Sequence, residues 1–323
     1  MGKARIALLS NPNSTGNLSQ LPRIRAFCAE HPDIFHYEVE KADQVGEALK
    51  TIARVRPKVL AINGGDGTVQ AALTELINGD HFGDSRPPVA VLPNGKTNLI
   101  ALDLGAVGDP VEALQRLLTL ADGDLSDHLV ARELIALTSD GREEPVIGMF
   151  LGGAGLADSM LFCRDKIYPL GLPNGVSHVL TALLVLLRQT FGLTNRFLPP
   201  SPSPIEVKVR RLGALRGRFQ LLAVTTLEKL LLGSEVRTAG KGRLKLLAID
   251  HRSSSLVRGL FAGFTHRLGA KKLSGVHVEE ADEISIEGDR SSVILDGEMF
   301  EARIGQPIRL TPAKPLSFVR LAA

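Results

Sequence analysis

The chain has few of the features that settle a function at a glance. It holds two cysteines, Cys28 and Cys163, and no Cys-X-X-Cys pair. That sets aside a disulfide framework or a zinc site and favours reduced thiols in a cytoplasmic protein. Charge of neither sign dominates. Lys and Arg number 38 against 35 Asp and Glu, a net +3. This is too mild a surplus to argue for nucleic acid, though it would not repel an anionic membrane. Long hydrophobic runs are missing too. The longest, VLTALLVLL (Val179–Leu187), is far short of a bilayer span, so a soluble protein able to touch a membrane is expected. The opening MGKARIALLSNPNSTG has too short an apolar stretch for a signal peptide and reads as a first strand. Ile6 stands where a myristoylation motif needs Ser or Thr. There is no internal repeat, and His178, His251 and His266 lack metal-ligand spacing.

At 323 residues and 44% hydrophobic, the chain is long enough for a sizeable core, as one large domain or two ordinary ones. The first third alternates between two textures. ARIALLS, FHYEVE, KVLAIN and PPVAVLP have strand length; LPRIRAFCAEH, ADQVGEALKTIARV, GTVQAALTELING and KTNLIALDLG have helical character. Apolar strands alternating with helices imply a parallel sheet covered on both faces. The loops NPNSTGN, NGGDGT and PNGKTN all follow strand ends, and in such sheets ligands bind beyond those ends. From about Leu125 short alternating runs separated by Gly, Pro and Ser predict a mostly antiparallel, β-sandwich-like domain. Helical stretches at 175–191 and 255–268 interrupt it.

Two motifs carry chemistry. In NGGDGT the glycines offer positive φ and room for a ligand near the main chain. The helix that follows offers unpaired N–H groups to an anion, and Asp66 is suited to a polyphosphate's magnesium or to proton transfer. Taken alone, the same residues also describe an ordinary strand-to-helix turn with a capping Asp. In ILDGEMF, Asp296 and Glu298 sit at i and i+2, which puts both on one side of a regular strand. One would act as base and the other would bind metal or orient its partner. Asp-Gly is equally a hairpin signal.

GGDGT after a buried strand resembles the diacylglycerol-kinase catalytic superfamily, which includes bacterial lipid kinases, sphingosine and ceramide kinases and, more distantly, NAD kinases. The resemblance extends over most of the chain. NPNSTGN is similar to the family's N-terminal phosphate loop, with Thr15 where Gly is usual. LPNGKTNLIALDLG is similar to its second nucleotide motif, FLGGAGLADSML to the glycine-rich start of its second domain, and ILDGEMF to its C-terminal DGE.

The resemblance implies a nucleotide-binding, NAD-kinase-like α/β domain over 1–125, with a return segment at 307–323, and a β-rich lipid domain over 126–306. It implies ATP contacts at Asn11, Pro12, Ser14, Thr15 and Gly16, at Asn63, Gly64, Gly65, Asp66, Gly67 and Thr68, and at Gly95, Lys96, Thr97 and Asn98. Catalysis would fall to Asp66, Asp296 and Glu298, with Glu298 also the candidate ligand for nucleotide-linked magnesium. The reaction implied is ATP-dependent phosphorylation of a lipid hydroxyl in the cleft between the domains, at a membrane surface touched peripherally. A homodimer is left open.

The chain also departs from the family. Lys96 replaces a Thr, Gln70 and Ala71 stand where Asn and Glu are common, and Lys241 in KGRL replaces the Asp of a structural magnesium site. A charged lysine cannot ligate magnesium, so that ion is expected to be absent. Three rivals follow: an NAD-kinase-like enzyme, a kinase of a non-lipid alcohol, and a nucleotide- or lipid-binding protein that has lost catalysis. The helix around Val179–Leu187 is apolar nearly all round, which suits core packing or an acyl-chain or membrane contact. The stretch SLVRGLFAGFTHRLGAKK suits an interfacial helix or a half-exposed packing helix.

Overall fold

The computed structural model describes residues 5–83, 85–95, 98–172, 174–192, 198–210, 213–228, 242–265 and 268–321. Lys96, Thr97 and Lys241, and with them His266, lie outside the described residues. The chain divides into two compact units. The first comprises Met1–Leu134, Glu144–Gly148 and Ala313–Ala323; the second comprises Ile135–Glu143 and Met149–Pro312.

The first unit is built from β1 (Ile6–Ser10), α1 (Asn17–Glu30), β2 (Ile34–Glu38), α2 (Val45–Val55), β3 (Val59–Asn63), α3 (Asp66–Asn78), β4 (Val89–Val91), α4 (Leu99–Asp103) and α5 (Pro110–Asp122). Its sheet is parallel, in the order β2-β1-β3-β4. Every residue of IALLS, VLAIN and VAV is buried. These strands have no polar face because helices cover both sides, which is why they read as unbroken apolar runs. Helix α5 went unread in the sequence, although its start is well marked. The Asp109 carboxylate accepts from the N–H groups of Val111 and Glu112, and Pro110 occupies the first helical position.

Strand β5 (Leu129–Thr138) starts in the first unit and ends in the second, β6 (Val146–Gly148) belongs to the first, and the second unit resumes with β7 (Phe150–Gly153). It continues through α6 (Gly155–Phe162), α7 (Asn174–Phe191), β8 (Ile205–Val209), β9 (Gly213–Gly217), β10 (Phe219–Thr225), β11 (Leu244–Asp250) and α8 (Ser253–Phe264). It ends with β12 (Val276–Ala281), β13 (Ile284–Gly288), β14 (Ser291–Leu295), β15 (Glu298–Ala302) and β16 (Ile308–Val319). Six strands form an antiparallel sheet in the order β12-β11-β10-β7-β14-β15. A second antiparallel group runs from β9 through β8 and β13 to the start of β16. The end of β16 belongs to the first unit, where Phe318 pairs in parallel with Val89.

Helix α7, for which core packing and an acyl-chain or membrane contact were both open, is covered along one side. Among its described residues Ser177 and Thr181 are buried, while Val179, Leu183 and Leu187 face solvent. The inward hydroxyls are satisfied along the helix, Ser177 Oγ donating to the Leu172 carbonyl and Thr181 Oγ1 to that of Ser177. Its half-buried Leu180 and Leu184 pack on Phe162, Cys163 and Ile167.

Candidate active site

Strand register brings the three polar loops of the first unit to one rim. Ser10 pairs with Glu38 of β2 on one side and with Asn63 of β3 on the other. The Leu92 N–H, just past β4, donates to the Ile62 carbonyl. Three strands therefore end level, and NPNSTGN, NGGDGT and the loop after β4 leave from adjacent points.

Buried amides tie the loops together. Asn11 Nδ2 donates to Thr68 Oγ1 at 2.9 Å, and Asn11 N–H donates to the Asn63 carbonyl at 2.9 Å. Asn17 Nδ2 reaches the Asn11 carbonyl at 2.7 Å and that of Asn63 at 3.1 Å. Asn94 Nδ2 donates to Asn63 Oδ1 at 2.7 Å and to Asn17 Oδ1. Asn63 Nδ2 donates to Ser10 Oγ, which also meets His36 Nε2, both at 2.9 Å. Burial lowers the His36 pKa and keeps the ring neutral at neutral pH. Leaving one buried partner unsatisfied costs about 1–3 kcal/mol, so the network fixes the rim as a unit. Sequence reasoning had not assigned a role to Asn17, Asn94, Ser10 or His36. The signal was available in the unusual density of Asn at strand ends.

The glycines act differently from expectation. Gly65 precedes α3 with φ −80° and ψ 175°, and Gly64 and Gly67 also avoid the left-handed region. Positive φ is therefore not their purpose. A Cβ on Gly16 would overlap the side chain and backbone oxygens of Asn94, and one on Gly64 would come within 2.7 Å of Thr68 Cβ. These two permit close packing of the loops. A Cβ on Gly65 or Gly67 would meet nothing within 4 Å, so these two leave open space at the start of α3. The left-handed residue of the rim is Asn98, at φ 53°, whose Oδ1 accepts from the Gly95 N–H at 2.6 Å.

Around that space lie groups without partners. Asp66, the first residue of α3, makes no side-chain hydrogen bond or ion pair among the described residues, and burial pushes its pKa up to about 6. The Ser14 hydroxyl, in the loop before α1, is buried and unpartnered, and so is the Gln70 Nε2 one turn along α3 from Asp66. First-turn N–H groups of a helix lack intrahelical acceptors, so α1 and α3 add donors to the same rim. Pro12 and Thr15 stand on the first loop, Thr15 exposed. An orphan hydroxyl, open glycines and two helix starts fit the phosphates of a nucleotide.

The DGE segment lies in the second unit. Asp296 and Gly297 form a two-residue hairpin turn between β14 and β15, with φ 41° and 93°. The turn breaks strand alternation, so Asp296 and Glu298 do not share a strand face as expected. Asp296 is buried and accepts from Met149 N–H at 2.6 Å and Phe150 N–H at 3.0 Å. Glu298 is exposed and pairs with Arg142 at 3.1 Å. Among the described residues no group of three or more His, Cys, Asp or Glu is arranged to hold a metal. A second carboxylate without a partner among the described residues, missed in the sequence, is Asp158 near the start of α6, its pKa raised by burial to about 6. It follows Ala154, a non-glycine at φ 53°.

Residues 5–126 match the diacylglycerol kinase catalytic domain. The similarity to that family is carried by this first stretch of the chain. No curated protein matches it. A solved diacylglycerol kinase structure from Bacillus anthracis str. Sterne aligns over 98% of this chain and 97% of its own, with TM-score 0.60 and 14% identity. Another structure from that bacterium reaches 0.64 at 16% identity, with the same coverage. An NAD kinase from Archaeoglobus fulgidus, solved in complex with ATP, aligns over 97% of this chain and 93% of its own, with TM-score 0.50 and 11% identity. At such identities the likeness is one of fold: an α/β unit with a parallel sheet and an antiparallel β-rich unit.

Proposed function

We propose that this protein transfers the γ-phosphoryl group of ATP to a hydroxyl of a lipid. The observation that carries this reading is the unpartnered Asp66 carboxylate at the start of α3, beside the open glycines and the orphan Ser14 hydroxyl. Ser14, the loop backbone of Gly64 and Gly65, and the N–H groups opening α1 and α3 would hold the phosphates. Lys96 joins them on its sequence position alone. Magnesium arriving with the nucleotide would neutralise phosphate charge, and Glu298 is retained as its candidate protein ligand.

Asp66 is the proposed general base. A carboxylate with pKa near 6 is ionised at neutral pH and more basic than an ordinary aspartate, as a base needs to be. It would take the proton of the acceptor hydroxyl as that oxygen bonds to phosphorus and the bond to the leaving diphosphate breaks. Asp296, with both oxygens engaged by backbone N–H groups, is better suited to shaping the DGE turn than to moving a proton.

The lipid acceptor is argued from the family match, whose name is that of a lipid kinase. The test is consumption of labelled ATP with a panel of acceptors: diacylglycerol, ceramide, a sphingoid base, a short-chain alcohol and NAD. Phosphorylation of one of the lipids supports the reading. Turnover confined to NAD or the short alcohol overturns it, and nucleotide binding without turnover supports the catalytically silent rival.

A further inference from the structure

The hydrogen bonds among the buried amides of the first unit can run in only one direction, and two backbone carbonyls fix it. Asn17 Nδ2 donates to the carbonyls of Asn11 and Asn63. Turning that amide over would set its oxygen against two carbonyl oxygens, so Asn17 Oδ1 is bound to be an acceptor. Asn94 must meet it with Nδ2, the nitrogen that also donates to Asn63 Oδ1. With its oxygen engaged in this way, Asn63 turns Nδ2 to Ser10 Oγ. The Ser10 hydroxyl therefore receives one hydrogen and has one of its own to give. Ser10 is fully buried, and its other side-chain partner among the described residues is His36 Nε2, at 2.9 Å. The bonds thus run from the loop after β4, through the ends of β3 and β1, to the edge strand β2.

A hydroxyl that must give its hydrogen needs a ring nitrogen with a free lone pair. Nε2 has one only in a neutral imidazole that carries its proton on Nδ1. With Nε2 protonated, Ser10 Oγ would face two donors and its own hydrogen would lose its acceptor. The ionisable side chains around the ring are compatible with neutrality. Glu38 Oε1 lies 3.9 Å from Nε2, but Arg25 of α1 holds that carboxylate through two hydrogen bonds. Cys28 of α1 is kept protonated by burial, and β1 carries no ionisable residue. The charges of α2 are Glu47 and Lys50, paired with each other, and Arg54, all exposed. Burial of the ring outweighs the pull of Glu38. At the other end, Asn94 Oδ1 occupies the space that a Cβ on Gly16 would take, at the start of α1. The orientation of Asn94 therefore sets how closely the loop after β4 seats on the first phosphate loop.

We propose that His36 is a positioning residue for the nucleotide rim: as the Nδ1–H tautomer it is the terminal acceptor of a one-way hydrogen-bond chain that starts at Asn94. The chain stands on geometry alone, whereas its effect on affinity rests on the nucleotide reading given above. The test uses the full-length protein and a non-hydrolysable ATP analogue with magnesium. Long-range proton–nitrogen NMR spectra at neutral pH, with the His36 signals identified by their loss in His36→Gln, should show a neutral ring protonated on Nδ1. A proton on Nε2, or a charged ring, overturns the proposal. His36→Gln retains an acceptor oxygen near the Nε2 position and should bind the analogue within about three-fold of the parent. His36→Phe retains a ring without the acceptor and should bind about ten-fold more weakly, well below its own melting temperature. A packing role would move the melting temperature and leave affinity alone, so equal affinity in His36→Phe and the parent overturns the proposal. Equal losses in the Gln and Phe variants do the same. Ser10→Ala cuts the chain midway, so adding it to His36→Phe should weaken binding no further than the worse single change, and summed losses count against the chain. Should His36→Phe fail to fold, the tautomer and the contrast between His36→Gln, near parental, and Ser10→Ala, about ten-fold weaker, decide the matter. A parent that binds no nucleotide while its ring keeps the Nδ1 proton sinks the nucleotide reading and leaves the chain standing.

Discussion

Asp66 and Asp296 are both aspartates followed by glycine, and the fold uses them in opposite ways. Asp66 follows a buried parallel strand and an extended Gly65, and it opens a helix. Its carboxylate has no partner among the described residues, and burial raises its pKa to about 6. Asp296 links two antiparallel strands, takes a left-handed conformation, and is held through both oxygens by the Met149 and Phe150 N–H groups. The dipeptide does not determine the outcome; the element that follows does. A carboxylate left unsatisfied at a helix start is available for chemistry, whereas one closing a turn is spent on the backbone.

The sharpest test of this contrast is Asp66→Asn. Turnover should fall by roughly 100- to 10,000-fold, the worth of a general base, with the fold intact by circular dichroism. Near-normal turnover would erase the distinction from Asp296. Next is a pair of glycine changes on the same rim. Gly16→Ala forces a methyl into the Asn94 oxygens and should cost about 1–3 kcal/mol of stability together with most nucleotide affinity. Gly65→Ala adds a methyl to open space, so its melting temperature should be unchanged and any loss should appear in nucleotide titration alone. Asp296→Asn places an amide NH₂ against backbone donors, and calorimetry should register a loss of about 1–3 kcal/mol. If its stability is unchanged while turnover collapses, Asp296 is catalytic after all.

The pH dependence separates the two aspartates further. Asp66 binds its proton more tightly folded than unfolded, so turnover should decline as pH falls through about 6. The same shift makes ionised Asp66 a destabilising charge above its folded pKa, and the penalty fades as pH drops toward the ordinary aspartate range. Asp66→Asn should therefore melt higher than the parent at pH 8 and lose that advantage by about pH 4. A flat activity profile down to pH 5 would remove Asp66 as base. The smallest effect belongs to Glu298→Gln. Its exposed pair with Arg142 is worth under about 1 kcal/mol, so stability should barely change. A steep rise in the magnesium requirement would keep Glu298 as a metal ligand.

Much of the first unit was legible because its strands are buried on both faces and its loops are punctuated by Asn, Pro and Gly. The convergence of the three polar loops followed from parallel topology alone. The amide network was not legible, since hydrogen bonds between Asn11, Asn17, Asn63 and Asn94 depend on register that a single chain does not display. Glycine conformation was misread at Gly65, where steric room and positive φ leave the same mark in sequence. The shared face of Asp296 and Glu298 failed because i, i+2 spacing holds only inside a strand. Helix α7 left two readings open for a related reason: an all-round apolar pattern does not tell which side is covered, and the covered side is the one with Ser177 and Thr181.

Strand β16 has a consequence for how the molecule is made. Residues 5–126 are synthesised first, yet the neighbour of β4 comes from residues 313–323, after the whole second unit has been translated. Until then the Val89–Val91 edge of the nascent sheet has no partner on that side, and open apolar edges invite pairing with other chains. The segment that matches the family model therefore lacks one strand of its own sheet. A fragment cut after residue 126 would expose that edge permanently, whereas the intact chain closes it with its own late-arriving strand.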